Sequence, residues 1–146
     1  MRVALPDPIF ERDAAEAIAT FRPPTENGPQ MKISFLGGGN MAAALVGGML
    51  ERGFERAGLQ IVEIGAEARA RLADRFGVRV AAGPDDDALD CEVLVLAVKP
   101  QQMKAALAPI AGGLRGQLVV SIAAGLRIAD LGRWLGAPGT PFARIV

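Results

Sequence analysis

The chain has 146 residues, 51% of them hydrophobic, and its 16 basic and 16 acidic residues give zero net charge, so we expect one domain and neither a nucleic-acid nor a membrane partner. Cys91 is the only cysteine, so an intrachain disulfide is excluded. Histidine and tyrosine are absent, and the lack of histidine argues against a zinc site and leaves Cys91 without a histidine to activate it. Because the chain lacks a signal segment and any apolar run near the roughly 18 residues of a membrane helix, a cytoplasmic location is expected.

Residues 1–30 differ in pattern from the rest of the chain. The segment 7–21 has the apolar spacing of an amphipathic helix, and the segment 22–29 is rich in proline and glycine, as linkers are. We therefore predict an N-terminal extension with a linker over 1–30 and one folded domain over 31–146.

From Met31 onward, apolar segments typical of buried strands alternate with segments of helical spacing. We predict strands over 32–36, 60–64, 78–81, 93–98, 117–122 and 142–146. We predict helices over 40–52, 66–76, 85–90, 101–111 and 128–135. This alternation indicates an α/β fold, namely a Rossmann-type doubly wound parallel sheet with strand order 3-2-1-4-5-6.

A glycine-rich turn joins the first predicted strand to the first predicted helix through Leu36, Gly37, Gly38, Gly39, Asn40 and Met41. The order strand, glycine turn, helix is the phosphate-binding entry of a dinucleotide fold, with Ala42 at the third fingerprint place. Gly37 is expected to permit the tight turn and Gly39 to let a pyrophosphate approach the backbone. Asn40 is expected to cap the helix. The turn predicts a nicotinamide or flavin nucleotide site, and an ordinary strand–turn–helix is the alternative.

Glu63 lies near the end of the second predicted strand, about 20 residues beyond the glycine turn, where dinucleotide folds often hold an acid. A carboxylate there accepts hydrogen bonds from the ribose 2′-hydroxyl and repels a 2′-phosphate, which favours NADH over NADPH. Two alternatives stay open. In the first, Glu63 is a solvated charge at the end of the strand. In the second, Arg69 and Arg71 on the next helix pair with a 2′-phosphate.

Two further segments lie at the carboxyl ends of predicted strands, where ligands bind in open α/β sheets. The fourth strand leads into Ala97, Val98, Lys99 and Pro100, and Lys99 is expected either to help hold the nucleotide or to be a surface lysine. Ser121 and its small neighbours end the fifth strand. They leave room for a flat ring such as nicotinamide, and close packing of strand and loop is the alternative.

The motifs FLGGGNMAAAL, LAVKPQ and VVSIAAG, in this order and spacing, resemble the cofactor domain of pyrroline-5-carboxylate reductase over 31–146. The resemblance implies hydride transfer from NADPH or NADH to the imine carbon of 1-pyrroline-5-carboxylate, which gives L-proline in the last step of proline biosynthesis. It implies that residues 36–41 cradle the cofactor phosphates, that 97–100 line the nucleotide cleft and that Ser121 approaches the nicotinamide. No catalytic acid is expected, because a protonated cyclic imine already accepts hydride.

The resemblance also implies what lies beyond this chain. Family members continue into a helical C-terminal domain that forms the dimer and most of the substrate pocket. This chain is therefore expected to be mainly the cofactor-binding half, with its last strand truncated and the helical C-terminal domain absent. We expect it to have little activity alone. The full-length protein is expected to be a homo-oligomer. Glu63 departs from the family's NADPH users, so NADP and NAD both stay open. The alternatives are a reductase of the 3-hydroxyacid or prephenate dehydrogenase type and a non-catalytic nucleotide-binding module.

Overall fold

Strands and helices alternate along the described part of the chain, which in the computed structural model comprises residues 31–136 and the backbone of 142–144. The strands are β1 Ile33–Leu36, β2 Leu59–Val62, β3 Arg79–Ala81, β4 Val93–Leu96, β5 Leu118–Ser121 and β6 Phe142–Arg144. The α-helices are α1 Asn40–Glu51, α2 Ala66–Phe76, α3 Asp86–Leu89, α4 Pro100–Leu107 and α5 Ile128–Leu135. None of these helices is long and apolar enough to cross a membrane. The predicted extension over 1–30 lies outside the described residues.

All six strands form one parallel sheet in the order β3-β2-β1-β4-β5-β6, which confirms the predicted doubly wound fold. From β1 the chain builds β2 and β3 on one side and then crosses to place β4 on the other. The strand ends are in register, because Leu36 lies beside Val62 and Leu96, and Leu96 lies beside Ser121. The carboxyl ends of β1 and β4 therefore form the topological switch point, where open α/β sheets bind ligands.

Helices cover both faces of the sheet. On one face Phe35 and Ile61 pack with Phe76 of α2, and on the other Leu96 packs with Leu131 of α5. Each of these five side chains is 6% exposed or less. Burial on both faces explains why the strands are continuous apolar runs and not alternating ones.

The predicted boundaries of α2 and α5 are confirmed, and the others differ by a few residues. The second and fourth strands end at Val62 and Leu96, two residues before their predicted ends, because the chain already turns into the loops that follow. The fourth helix begins at Pro100 and ends at Leu107, not at 111. It continues as a 3₁₀ turn over Ala108–Ile110, since a proline at position 109 cannot donate the next helical hydrogen bond.

The short helix α3 is attached to the sheet by polar side chains. Ser34 Oγ of β1 donates to the Ala88 carbonyl oxygen at 2.6 Å, and Gln60 Nε2 of β2 donates to the Asp87 carbonyl oxygen at 2.7 Å. Asp85 is the N-cap, and its Oδ1 accepts from the Ala88 N–H at 2.9 Å. A helix of four residues is not stable by itself, so these tertiary contacts maintain it.

Candidate functional site

The glycine turn lies at the switch point, and Gly37 is closed in by its neighbours. Gly37 has a φ of 107°, which side chains rarely adopt, and a Cβ added there would lie 2.7 Å from the Ala97 carbonyl oxygen. The Gly37 N–H donates to the Val62 carbonyl oxygen at 2.9 Å. The turn thus has the tight geometry predicted for it, held between the ends of β2 and β4.

The next two glycines differ from each other in what surrounds them. A Cβ added to Gly38 would lie 2.6 Å from Leu72 Cδ1 and 3.0 Å from Glu63 Oε2, so this position is closed. A Cβ added to Gly39 would meet no atom of the described residues within 4 Å. Gly38 therefore serves packing inside the protein, whereas Gly39 leaves the start of α1 open to an approaching group.

The start of α1 has no side-chain cap, and the prediction that Asn40 caps it is wrong. Gly39 is the N-cap residue, with an extended backbone, and Asn40 is already the first helical residue. Helix N-terminal N–H groups without a cap, together with the helix dipole, attract anions. Met41 is 61% exposed, whereas Ala42 is 1% exposed, as close packing of helix on strand requires.

Glu63 follows β2, and its carboxylate connects two turns. Its Oε2 accepts from the Gly38 N–H at 3.0 Å, and its Oε1 accepts from the Gly65 N–H at 2.8 Å. Arg69 Nη1 donates to the carbonyl oxygens of Glu63 and Ile64 at 2.9 and 2.7 Å. Since a carboxylate oxygen can accept more than one hydrogen bond, Glu63 keeps capacity for a hydroxyl ligand.

The segment after β4 borders the other side of the glycine turn. The Ala97 N–H donates to the Leu36 carbonyl oxygen at 2.8 Å, and Val98 packs half-buried against the core. Lys99 is the N-cap of α4 and Pro100 is its first residue, and both are exposed. The extended backbone of Lys99 is the one that a following proline favours. Lys99 therefore lies at the same edge of the sheet as the glycine turn.

Ser121 ends β5, and its hydroxyl is used inside the protein. Ser121 is 1% exposed, and its Oγ accepts from the Ala123 N–H at 3.3 Å. The loop lies beside β4, because the Ile122 N–H donates to the Leu96 carbonyl oxygen at 3.2 Å. Ala124 is exposed. A contact between Ser121 and a cofactor stays a prediction, for which the backbone and the small neighbours are the available groups.

The structure thus brings the predicted segments together at one edge of the sheet. It also identifies two residues beside Gly38 and Glu63 that the sequence did not indicate. Gly65 and Leu72 were not predicted to matter, yet the Gly65 N–H donates to Glu63 and Leu72 occupies the space that a side chain at Gly38 would need. A glycine two residues after a strand-end acid is a signal that could have identified Gly65. No motif marks Leu72, which has the apolar spacing of any buried helix residue.

Cys91 and the acidic residues add no further chemistry at this edge. Cys91 precedes β4, at the amino edge of the sheet, and is half-buried, as predicted. Burial is the main cause that raises the pKa of its thiol, so the thiol stays protonated at neutral pH. Over the part of the chain that the structure describes, no group of three or more histidine, cysteine or acidic residues could hold a metal ion.

Known proteins share this architecture and its motifs. Residues 32–125, more than half of the chain, match the family described as NADP oxidoreductase, coenzyme F420-dependent. The parallel sheet and the glycine turn at its switch point agree with that match. The chain belongs to this family of oxidoreductases.

Within that class, the predicted resemblance to the N-terminal part of pyrroline-5-carboxylate reductase is confirmed. The pyrroline-5-carboxylate reductase of Pseudomonas aeruginosa is 44% identical over 108 residues, 73% of this chain and 40% of that protein. The enzyme structure from Coxiella burnetii has a TM-score of 0.74 at 29% identity, covering 80% of this chain and 43% of that one. The Plasmodium falciparum structure, with NADP bound, has a TM-score of 0.64 at 25% identity, covering 79% and 40%. This chain thus spans about 40% of the length of the curated relatives it matches.

Proposed function

We propose that this chain is the cofactor-binding half of an NAD(P)H-dependent pyrroline-5-carboxylate reductase, which transfers hydride to the imine of 1-pyrroline-5-carboxylate and gives L-proline. One observation carries the proposal. The switch point holds three glycines, of which Gly37 and Gly38 are closed against protein atoms while Gly39 leaves the uncapped start of α1 open. The relatives' names support the choice of substrate.

The chemistry of this edge fits a dinucleotide. A pyrophosphate is anionic, and an uncapped helix start with an open glycine offers backbone N–H groups at close range. The Lys99 ammonium adds positive charge at the same edge, and Glu63 accepts hydrogen bonds from ribose hydroxyls. The residues proposed to hold the cofactor are Leu36, Gly37, Gly38, Gly39, Asn40, Met41, Glu63, Ala97, Val98, Lys99, Pro100 and Ser121.

The bound cofactor supplies the hydride, and the residues of this chain bind and orient it. Leu36 and Ser121, which end β1 and β5, are both buried. No acidic side chain has to donate a proton, because a protonated cyclic imine already carries the charge that draws hydride to its carbon. We propose no residue of this chain as a substrate contact. We include in the proposal that the whole protein is a homo-oligomer.

Two measurements test the proposal. Calorimetric titration of the purified chain is expected to show one NADH or NADPH bound per chain. A chimera that joins residues 31–146 to the remainder of the Pseudomonas aeruginosa reductase is expected to oxidise the nucleotide only when 1-pyrroline-5-carboxylate is present. Absence of nucleotide binding would contradict the proposal. A folded chimera that binds nucleotide but transfers no hydride would favour the non-catalytic module instead.

A further inference from the structure

Building on the proposed function, we infer that this site selects NADH over NADPH and that Glu63 is the residue that determines the selection. The two cofactors differ by a single 2′-phosphate on the adenosine ribose. Two features of the chain act on that group, namely the position of the Glu63 carboxylate and the hydrogen bonds that Arg69 and Arg71 of α2 already make.

The Glu63 carboxylate is held in place at the glycine turn. Each of its oxygens accepts a backbone N–H, Oε2 from Gly38 at 3.0 Å and Oε1 from Gly65 at 2.8 Å. A glutamate at the end of a strand is ordinarily free to swing into solvent. Here two hydrogen bonds, to turns on either side, keep the charge beside the helix start that would receive the pyrophosphate.

A carboxylate fixed at this place is expected to favour binding of NADH and to oppose binding of NADPH. It accepts hydrogen bonds from ribose hydroxyls, as acids at the end of the second strand do in dinucleotide folds. A 2′-phosphate carries about −1.5 to −2 charges at pH 7 and would approach the same carboxylate, so the two groups repel each other. Since the carboxylate cannot rotate away without losing both backbone hydrogen bonds, the repulsion is not relieved by a side-chain movement.

The two arginines of α2 that follow Glu63 most closely in sequence already bind groups of the protein. Arg69 Nη1 donates to the carbonyl oxygens of Glu63 and Ile64, and Arg71 pairs with Glu67 at 2.9 Å. Ile64, next to Glu63, is 85% exposed, and its side chain offers apolar surface for an adenine ring. Because the Nη1 donors of both arginines are already used, a 2′-phosphate gains less from them than from unpaired arginines, whereas a ribose hydroxyl needs neither.

Proteins that this chain resembles are described with the other cofactor. The matching family is described as an NADP oxidoreductase, and the Plasmodium falciparum reductase was solved with NADP bound. We attribute the preference of this chain for NADH to Glu63.

The test is titration of the purified chain with NADH and with NADPH at low and at high salt. The wild-type chain is expected to bind NADH at least about tenfold more tightly, with the difference shrinking at high salt because it arises from charge. Glu63→Gln, which keeps an acceptor oxygen but removes the charge, is expected to reduce the ratio at least about tenfold, mainly by tightening NADPH. The matched control is Glu51→Gln, the same change at an exposed position in the last turn of α1.

The outcomes separate this inference from the proposed function. If the wild-type chain binds NADPH as tightly as NADH or more tightly, the selection is overturned while the proposed function stands. If Glu63→Gln weakens both nucleotides equally, Glu63 supports the turn and does not discriminate, so the inference is also overturned. If neither nucleotide binds, both the proposed function and the inference fail. An NADH preference that Glu63→Gln removes and Glu51→Gln leaves unchanged supports the inference.

Discussion

The Gly38 N–H donates to Glu63 Oε2 across 3.0 Å and so joins the turn after β1 to the loop after β2. The two residues are 25 positions apart, and neither could make this contact outside the folded sheet. The same carboxylate accepts from the Gly65 N–H, so one side chain holds both loops at the edge where the nucleotide is proposed to bind. Changes at Gly38 are therefore expected to affect folding as well as binding.

Gly38→Ala is predicted to destabilise the protein. The added methyl group would lie 2.6 Å from Leu72 Cδ1, and Leu72 is 6% exposed, so the Leu72 side chain has to shift against its core neighbours. Overpacking of this kind costs about 1–3 kcal/mol in the free energy of unfolding, which urea denaturation would measure. Gly48→Ala in α1 is the control, because a methyl group there meets no described atom within 4 Å. Equal stability of Gly38→Ala and wild type would contradict the packing seen here.

Gly39→Val is predicted to weaken nucleotide binding while the protein stays folded. The φ of −75° at Gly39 suits any residue, and an added Cβ meets no described atom within 4 Å. Valine is a poorer N-cap residue than glycine, so a loss of up to about 1 kcal/mol in the free energy of unfolding is expected. The side chain would instead occupy the space proposed for the pyrophosphate. Calorimetry with NADH is expected to show a loss of affinity of about tenfold or more, whereas Gly48→Val binds like wild type. An unchanged dissociation constant for Gly39→Val would place the phosphates elsewhere.

Local signals explain why much of the fold could be predicted from the sequence. Helices α2 and α5 end where predicted because Gly77 and Gly136 adopt the left-handed conformation that stops a helix. The sheet order follows from regular alternation of apolar strands and amphipathic helices, since right-handed crossovers leave few arrangements. The glycine turn was recognisable because only glycine tolerates the φ of 107° at Gly37.

Contacts between distant segments explain what the sequence could not show. Whether the Glu63 carboxylate faces solvent or the Gly38 N–H depends on a side-chain rotamer that only the folded loops determine. The N-cap of α1 also differed from prediction, because Asn40 is a common capping residue but the chain enters the helix one residue earlier, at Gly39. Ser121 looked available to a ligand in the sequence, yet its hydroxyl accepts from the Ala123 N–H.

Asp85→Ala is predicted to destabilise α3. Asp85 Oδ1 caps the helix through the Ala88 N–H, and Oδ2 accepts from Arg79 at 2.5 Å. Loss of an N-cap costs about 1 kcal/mol in the free energy of unfolding, measured by urea denaturation at pH 7. Asp86→Ala, a change of the neighbouring exposed carboxylate, is the control and should cost less.

The contribution of Asp85 is also predicted to depend on pH. The Arg79 hydrogen bond, followed by that of the Ala88 N–H, lowers the Asp85 pKa in the folded protein. A lowered folded pKa gives stability that is present above the unfolded pKa of about 3.9 and is lost as pH falls through the folded value. The stability difference between wild type and Asp85→Asn is therefore expected to shrink below about pH 4. A stability difference that stays constant from pH 7 down to about pH 2.5 on an intact fold would contradict this account.

Cys91 is predicted to react slowly with alkylating reagents. Burial, the largest cause, raises the pKa of its thiol, and the thiolate is the reactive form. The rate with iodoacetamide at pH 8 should be well below that of the urea-unfolded chain, with a pH midpoint above the ordinary cysteine value of about 8.5. A raised folded pKa also gives stability that is present below the unfolded pKa and lost as pH rises through the folded one. Wild type should therefore lose stability relative to Cys91→Ala above about pH 8.5. In the alkylation experiment, equal rates for the folded and the unfolded chain would show that the thiol is not shielded.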